Sequence, residues 1–138
     1  MERPLLSVIG GGAMGSALLR RWVAAGVYPA AQVALREPDP DKAKTLQQEL
    51  GIRLLADLSQ AGESEILFLA VKPQVFPTVV AEMGQPTATE LVISIMAGIR
   101  LQQLQQAFPQ QRVVRTMPNT PALVGACLLY TSPSPRDS

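Results

Sequence analysis

Apolar residues along the chain alternate between short continuous runs and stretches with helical spacing. The continuous runs lie at 5–9, 32–35, 52–55, 66–71, 91–95 and 113–114. Runs of this length are typical of strands buried on both faces, and the intervening spacing of three and four residues predicts amphipathic helices. Strands that alternate with helices predict an α/β fold with a doubly wound, mostly parallel sheet.

Turn and capping residues predict where several of these elements begin and end. Asp39 is a predicted N-cap, Pro40 fits the first helical position after it, and Gly51 is a predicted helix stop. Gly26 closes the first helix by the same rule. Asp57 is expected to cap a short helical turn that reaches about residue 62.

One further helix is predicted from apolar spacing alone. Val75, Val79, Val80 and Met83 lie at helical intervals after the fourth strand, and Gly84 ends the segment.

Composition excludes several kinds of chemistry. The 138-residue chain has no histidine, which removes Ser-His-Asp hydrolases, Cys-His hydrolases and His-ligated zinc sites. A single cysteine, Cys127, permits neither an intramolecular disulfide nor a cysteine-rich metal site. The length fits one domain.

Charge and aromatic content argue against nucleic-acid binding. The net charge is +1 and aromatic residues make up 4% of the chain, so we expect neither a basic stripe nor a base-stacking surface. The N-terminus has no signal-peptide pattern, and the apolar runs are far shorter than a membrane span. We therefore expect a cytoplasmic protein with no membrane partner and no bound metal.

Three glycines between the first strand and the first helix carry the clearest functional signal. In Gly10-x-Gly12-x-x-Gly15 the first glycine makes a tight turn, the second admits a pyrophosphate, and the third allows close helix–strand packing. The start of the helix offers N–H groups and a partial positive charge to an anion. The pattern predicts a dinucleotide site, although a purely structural turn can have the same sequence.

The end of the second strand is expected to select the nucleotide. The Arg36 guanidinium suits a 2′-phosphate, which favours NADPH, while NADH remains possible. Glu37 is an awkward neighbour for such a phosphate unless its side chain points to solvent. The alternative is that Arg36 is an ordinary exposed charge.

Other polar residues follow later strands, at the sheet edge where open α/β domains bind ligands. Lys72, before Pro73, is expected to position a cofactor or a carboxylate substrate, or else to be a solvent-facing charge. Ala97 leaves room for a nicotinamide ring or simply forms a turn. Asn119 lies in a proline-bracketed loop at the same edge and is either a functional residue there or an Asx-turn residue.

Four blocks of sequence resemble the pyrroline-5-carboxylate reductase family, in the order and at the spacing of that family. They are IGGGAMGSA at 9–17, AVKPQV at 70–75, VISIMAGI at 92–99 and VVRTMPNTPALVG at 113–125. The last block is much more specific than the glycine turn alone.

The resemblance implies a Rossmann-like domain and NAD(P)H-dependent reduction of 1-pyrroline-5-carboxylate to L-proline. It implies that Asn119 lies near the small-molecule substrate. The cofactor-binding residues that it implies are Ile9, Gly10, Gly11, Gly12, Ala13, Met14, Gly15, Arg36, Glu37, Ala70, Val71, Lys72, Pro73 and Ala97. Two other functions stay open: another NADP-linked dehydrogenase of the β-hydroxyacid type, and a nucleotide-binding fragment without turnover.

The sequence departs from the family at two places. Asp57-Leu58 stands where many members have an asparagine near the adenine, which puts that contact in doubt. Beyond residue 126 the family continues into a helical domain that forms its homo-oligomer and much of the substrate pocket. We expect residues 1–126 to be the NADP-binding domain, 127–138 to be a non-native disordered tail, and the chain to be inactive by itself.

Overall fold

Six parallel strands form one sheet in the computed structural model, which describes residues 4–116. The strands run in the spatial order β3-β2-β1-β4-β5-β6, and every neighbouring pair is parallel. Their bounds are Leu6–Ile9 for β1, Val33–Arg36 for β2, Arg53–Leu54 for β3, Ile66–Leu69 for β4, Leu91–Ser94 for β5 and Arg112–Arg115 for β6. The chain reverses direction across the sheet between β1 and β4, so the expected doubly wound arrangement is confirmed.

Within residues 4–116, four α-helices and three 3₁₀ turns connect the strands. The helices are α1 at Ala13–Ala24, α2 at Pro40–Leu50, α3 at Phe76–Met83 and α4 at Leu101–Ala107. The 3₁₀ turns lie at Ala30–Gln32, Leu58–Glu63 and Pro73–Val75. Each of the predicted helices is present.

Capping residues act where the sequence predicts them. The Asp39 carboxylate accepts hydrogen bonds from the N–H groups of Asp41 and Lys42 at 3.0 and 3.4 Å, which satisfies two donors at the start of α2. Gly51 ends this helix with φ of 75°, a left-handed conformation that glycine adopts without strain.

The sheet separates two hydrophobic cores. Beneath α1 and α2, Trp22 packs edge-to-face on Phe68 with ring centroids 5.0 Å apart. Beneath α3 and α4, Phe76 and Phe108 lie 6.5 Å apart. Both faces of the sheet are therefore covered, which is why its strands are almost continuously apolar.

Two predicted elements differ from the structure. The run at 66–71 is a strand only through Leu69, because Ala70 and Val71 already lie in the turn that leaves the sheet. Val75, predicted to lie in the helix that ends at Gly84, belongs instead to the 3₁₀ turn before α3 and is 40% exposed. The tighter turn changes the phase of the helix, and Phe76 is buried instead.

Candidate functional site

The carboxyl ends of the central strands are tied together by backbone hydrogen bonds. The N–H of Gly10 donates to the carbonyl of Arg36 at 3.0 Å, and the N–H of Ala70 donates to the carbonyl of Ile9 at 2.9 Å. The ends of β1, β2 and β4 therefore form one rigid edge, and the glycine turn rises from its middle. The Ile9 side chain itself is buried in the core, so only its backbone faces this edge.

Two glycines of the turn are required by close backbone contacts. Gly10 has φ of 107°, and a Cβ atom built on it would lie 2.8 Å from the carbonyl oxygen of Ala70. A Cβ atom on Gly15 would lie 2.2 Å from the carbonyl oxygen of Gly10. Neither position accommodates a side chain without movement of the backbone, because these distances are far below van der Waals contact.

Gly12 differs from both because its surroundings are open. A Cβ atom on Gly12 would have no neighbour within 4 Å, and its φ of −71° is available to any residue. Gly12 is the N-cap of α1, and within residues 4–116 no side chain caps this helix. The first turn of α1 thus presents backbone N–H groups and the positive end of the helix dipole at an exposed position.

A cavity of about 520 Å³, lined by both polar and apolar groups, lies beside the turn, between the first halves of α1 and α2. Ser16 on its wall donates a hydrogen bond to the carbonyl of Gly11 at 2.7 Å and so braces the turn. Positive charge comes from Lys42 and from Arg20, which is paired with Glu49 at 2.7 Å. The cavity is lined by Gly11, Gly12, Ala13, Ser16, Arg20, Asp41, Lys42, Thr45 and Leu46.

The Glu37 side chain does not point to solvent. Its Oε1 accepts a hydrogen bond from the N–H of Gly11 at 2.7 Å, and its Oε2 accepts one from the N–H of Asp39 at 2.8 Å. The side chain is half-buried. Backbone donors in the glycine turn and at the start of α2 therefore hold this carboxylate between them.

Arg36 lies on the other side of β2, towards β3. Its Nη1 is 3.5 Å from the carbonyl oxygen of Leu55, and the side chain is half-buried. It also approaches Asp57: hydrogen bonds from the Ser59 hydroxyl and N–H, with a smaller contribution from the Arg36 charge, lower the pKa of the Asp57 carboxyl. Asp57 thus acts as a cap for the turn at Leu58–Glu63, as expected.

The residues expected around a nicotinamide ring follow β4 and β5. Ala70, Val71 and Pro73 are half-buried, whereas Lys72 and Ala97 are exposed. Topology places them at the same sheet edge as the glycine turn. Asn119 and the expected tail at 127–138 lie outside the described residues.

Two exposed apolar side chains also lie at this edge. Met14, in the first turn of α1, is 36% exposed, and Val75 follows β4 with 40% exposed. Met14 was expected at the site, whereas Val75 was predicted only as part of the following helix. Its proline-started turn, Pro73–Val75, is the sequence signal that could have identified it.

The described part of the chain has neither a metal-binding cluster nor a membrane-spanning helix. Among residues 4–116, no group of three or more acidic, cysteine or histidine side chains could hold a metal ion. In the same region no helix has the length and apolar character needed to cross a membrane.

The fold and the glycine turn place the chain in the Rossmann-like class of α/β domains. More specifically, the chain belongs to the family described as NADP oxidoreductase, coenzyme F420-dependent, whose model matches residues 6–98. It is 43% identical over 122 residues to the pyrroline-5-carboxylate reductase of Synechocystis, covering 88% of this chain and 46% of that protein. The resemblance found in the sequence motifs is thereby confirmed.

Solved structures show the same relationship. A pyrroline-5-carboxylate reductase from Coxiella burnetii matches with a TM-score of 0.75 and 26% identity, covering 89% of this chain and 47% of that one. The Plasmodium falciparum pyrroline carboxylate reductase, solved with NADP bound, matches with a TM-score of 0.73 and 26% identity, covering 91% and 46%. The chain spans about half the length of the relatives it matches.

Proposed function

We propose that this chain forms the NADPH-binding half of a reductase that converts 1-pyrroline-5-carboxylate to L-proline. The observation that carries the proposal is the uncapped start of α1 at Gly12, which opens beside a cavity of about 520 Å³. Anions bind such helix starts through backbone N–H groups and the helix dipole. The names of the relatives supply the substrate and the NADP-bound Plasmodium structure supplies the cofactor.

In this proposal the glycine turn holds the pyrophosphate. Gly10 and Gly15 keep strand and helix close, and Gly12 leaves room for the phosphate groups to approach the backbone. The start of α2 does not serve this purpose, because the Asp39 carboxylate already occupies its N–H groups.

The residues after β4 and β5 position the reacting half of the cofactor. Bound NADPH supplies the hydride for reduction of a C=N bond. Ala70, Val71 and Ala97 line the nicotinamide half, and Lys72 provides a cation at the same edge. These residues orient the cofactor and exclude water, a role that requires no histidine. Asn119 stays a predicted substrate-side residue.

The division of the chain is also part of the proposal. Residues 1–126 form the cofactor domain, and turnover needs the further length that the relatives possess. A cytoplasmic location and a homo-oligomeric complete enzyme are proposed with it.

Calorimetric titration of the chain with NADPH tests the cofactor assignment. We expect saturable binding of one NADPH per chain. If no binding occurs at any attainable NADPH concentration, the proposal is refuted.

A chimera tests the activity. Residues 1–116 are joined to the remainder of the Synechocystis relative, and NADPH consumption is followed with and without 1-pyrroline-5-carboxylate. We expect consumption only with this substrate, and none by the unfused chain. A folded, NADPH-binding chimera that ignores the substrate would contradict the assigned reaction.

A further inference from the structure

We propose that Ser16 is a positioning residue for cofactor binding: its hydroxyl fixes the peptide between Gly11 and Gly12, so that the N–H of Gly12 is aimed at the pyrophosphate. The inference rests on the proposed function, because it concerns the same helix start. It goes further by assigning the orientation of a backbone donor to one side chain. Ser16 acts through this peptide rather than through a bond of its own to the cofactor.

Ser16 holds two consecutive carbonyl groups at once. Its hydroxyl donates to the carbonyl of Gly11 at 2.7 Å, and its N–H donates to the carbonyl of Gly12 at 2.8 Å. The second bond is the ordinary first hydrogen bond of an α-helix, which the carbonyl of the N-cap residue accepts. The hydroxyl bond reaches one residue further back. It therefore aligns one more peptide unit with α1 than the backbone of the helix aligns by itself.

The orientation of a carbonyl determines that of the next N–H. A trans peptide is planar, so the carbonyl of Gly11 and the N–H of Gly12 point in opposite directions. Because Ser16 draws the Gly11 carbonyl towards the body of the helix, the Gly12 N–H is directed out of its open end. The Gly12 carbonyl directs the N–H of Ala13 in the same way. Two neighbouring N–H groups thus face the position at which helix starts bind anions.

A peptide shared by two glycines needs such a restraint. Neither Gly11 nor Gly12 has a Cβ atom to limit rotation of the peptide between them. Gly12 also lies in open surroundings, since a Cβ atom built on it would have no neighbour within 4 Å. The bond from the Gly11 N–H to Glu37 restrains the preceding peptide rather than this one. The hydroxyl of Ser16 supplies the restraint that the glycines lack.

Burial separates the restraint from the donor that it aims. Ser16 is 9% exposed and Gly11 is buried, whereas Gly12 and Ala13 are exposed. Water therefore competes little for the bond between the hydroxyl and the carbonyl, which strengthens it. The outward N–H groups lie where a ligand can reach them. Donors that are oriented before the ligand arrives bind it more tightly, because no ordering cost is left to meet on binding.

Calorimetric titration of the full 138-residue chain with NADPH tests this role. Ser16→Ala removes the hydroxyl and keeps a strong helix former, and we expect the dissociation constant to rise about tenfold. Ser16→Thr keeps a hydroxyl that can bond the preceding turn, and its constant should stay within about threefold of the original. A rise in Ser16→Thr equal to that in Ser16→Ala would assign the effect to packing and overturn the inference.

Ser16→Cys is a second variant that stays informative if Ser16→Ala does not fold. The thiol occupies nearly the same space as the hydroxyl but is only a weak hydrogen-bond donor. We expect its NADPH dissociation constant to rise roughly threefold or more above that of the original chain. An unchanged constant in Ser16→Cys would count against the role of the hydroxyl and refute it.

Thr89→Val is the matched control for the loss of a buried hydroxyl. Thr89 is 6% exposed, and its hydroxyl donates to the carbonyls of Gly62 and Ser64 at 3.2 and 2.7 Å. It precedes β5 and so lies at the opposite edge of the sheet from the glycine turn. We expect a lower free energy of unfolding with no change in the NADPH dissociation constant. A rise as large as in Ser16→Ala would indicate general loosening and overturn the inference.

A double-mutant cycle tests whether Ser16 acts through the N–H of Gly12. Gly12→Pro removes this N–H, and the φ of −71° at this position is one that proline adopts. In the Gly12→Pro background, Ser16→Ala should raise the dissociation constant less than about twofold, because the donor that the hydroxyl aims is already absent. A full tenfold rise in that background would mean that Ser16 acts by another route, and it would refute the inference.

Failure of this inference is distinguishable from failure of the proposed function. If the original chain and Ser16→Ala bind NADPH equally well, the role of Ser16 is refuted and the proposed function stands. If the original chain does not bind NADPH, the proposed function is refuted, and this inference with it.

Discussion

Helices α1 and α2 begin in the same structural setting, but their N-termini are capped differently. Each follows the carboxyl end of a parallel strand, and the two helices pack side by side on one face of the sheet. At α2, the Asp39 carboxylate caps the helix and Pro40 occupies the first turn. At α1, the N-cap is Gly12, and within the described residues no side chain takes the place of Asp39.

This difference shows which helix start is available to a ligand. At the start of α2, the Asp39 carboxylate accepts hydrogen bonds from the first N–H groups of the helix, which are therefore satisfied within the protein. Gly12 leaves the corresponding N–H groups of α1 open to an external anion, at a small cost in stability. The same strand–turn–helix unit therefore serves as a structural element in one case and as a binding element in the other.

The largest effect is expected from Gly15→Ala, which destroys the close packing that positions the start of α1. The new methyl group would lie 2.2 Å from the carbonyl oxygen of Gly10, so the helix must move away from the strand. We expect a loss of roughly 3 kcal/mol or more in the free energy of unfolding, measured by chemical denaturation. Gly12→Ala is the matched control: it adds the same methyl group in open space, and an equal loss there would refute the packing explanation.

Gly12→Asp converts the start of α1 into a copy of the start of α2. Its φ of −71° and open surroundings accept the side chain, so we expect a stability change of only a few tenths of a kcal/mol. NADPH affinity is expected to fall on the order of 100-fold, because the carboxylate occupies the N–H groups and opposes the pyrophosphate. Unchanged affinity, measured by calorimetry against Gly12→Ala, would show that the cofactor binds elsewhere.

Asp39→Ala makes the reverse change and leaves α2 uncapped. The N–H groups of Asp41 and Lys42 lose their acceptor, and we expect a loss of about 1 kcal/mol in unfolding free energy. Asp41→Ala, in the same first turn but without the capping bonds, should cost less than half as much. Equal losses in the two variants would mean that charge near the helix start matters more than the cap itself.

The smallest effect is expected at Asp57, which caps the 3₁₀ turn at Leu58–Glu63. Because the folded state lowers the pKa of this carboxyl below its ordinary value of 3.8, its stabilising contribution is present above that value. The contribution is lost as the pH falls through the lower pKa of the folded state. In Asp57→Asn, the free energy of unfolding should fall less steeply as the pH is lowered from neutral into the acid range, as measured by chemical denaturation at a series of pH values. An unchanged pH dependence would contradict the lowered pKa of Asp57.

Local signals made much of the fold predictable from the sequence. Asp39, Pro40 and Gly51 define α2 through interactions that span only a few residues, and the structure shows all of them. The glycine spacing likewise predicts the turn, because Gly10 and Gly15 are only five positions apart. The parallel, doubly wound sheet was predictable from the alternation of strands and helices.

The missed features depend on contacts between distant segments. The bond from Glu37 to Gly11 joins residues 26 positions apart, and its existence depends on β1 and β2 lying side by side. The exposure of Val75 depends on a 3₁₀ turn that shifts the helical phase set by Val79 and Met83. Neither effect leaves a periodic signal in the sequence.

The most direct test of the central claim is a two-dimensional amide NMR titration of the chain with NADPH. If the uncapped start of α1 binds the cofactor, the amide signals of Gly11, Gly12, Ala13 and Met14 should shift most and saturate together. The amides of Asp41 and Lys42, already bound to Asp39, should keep their hydrogen bonds and move less. Saturable shifts centred on α2, with the α1 start unperturbed, would contradict the assignment of the binding site to α1.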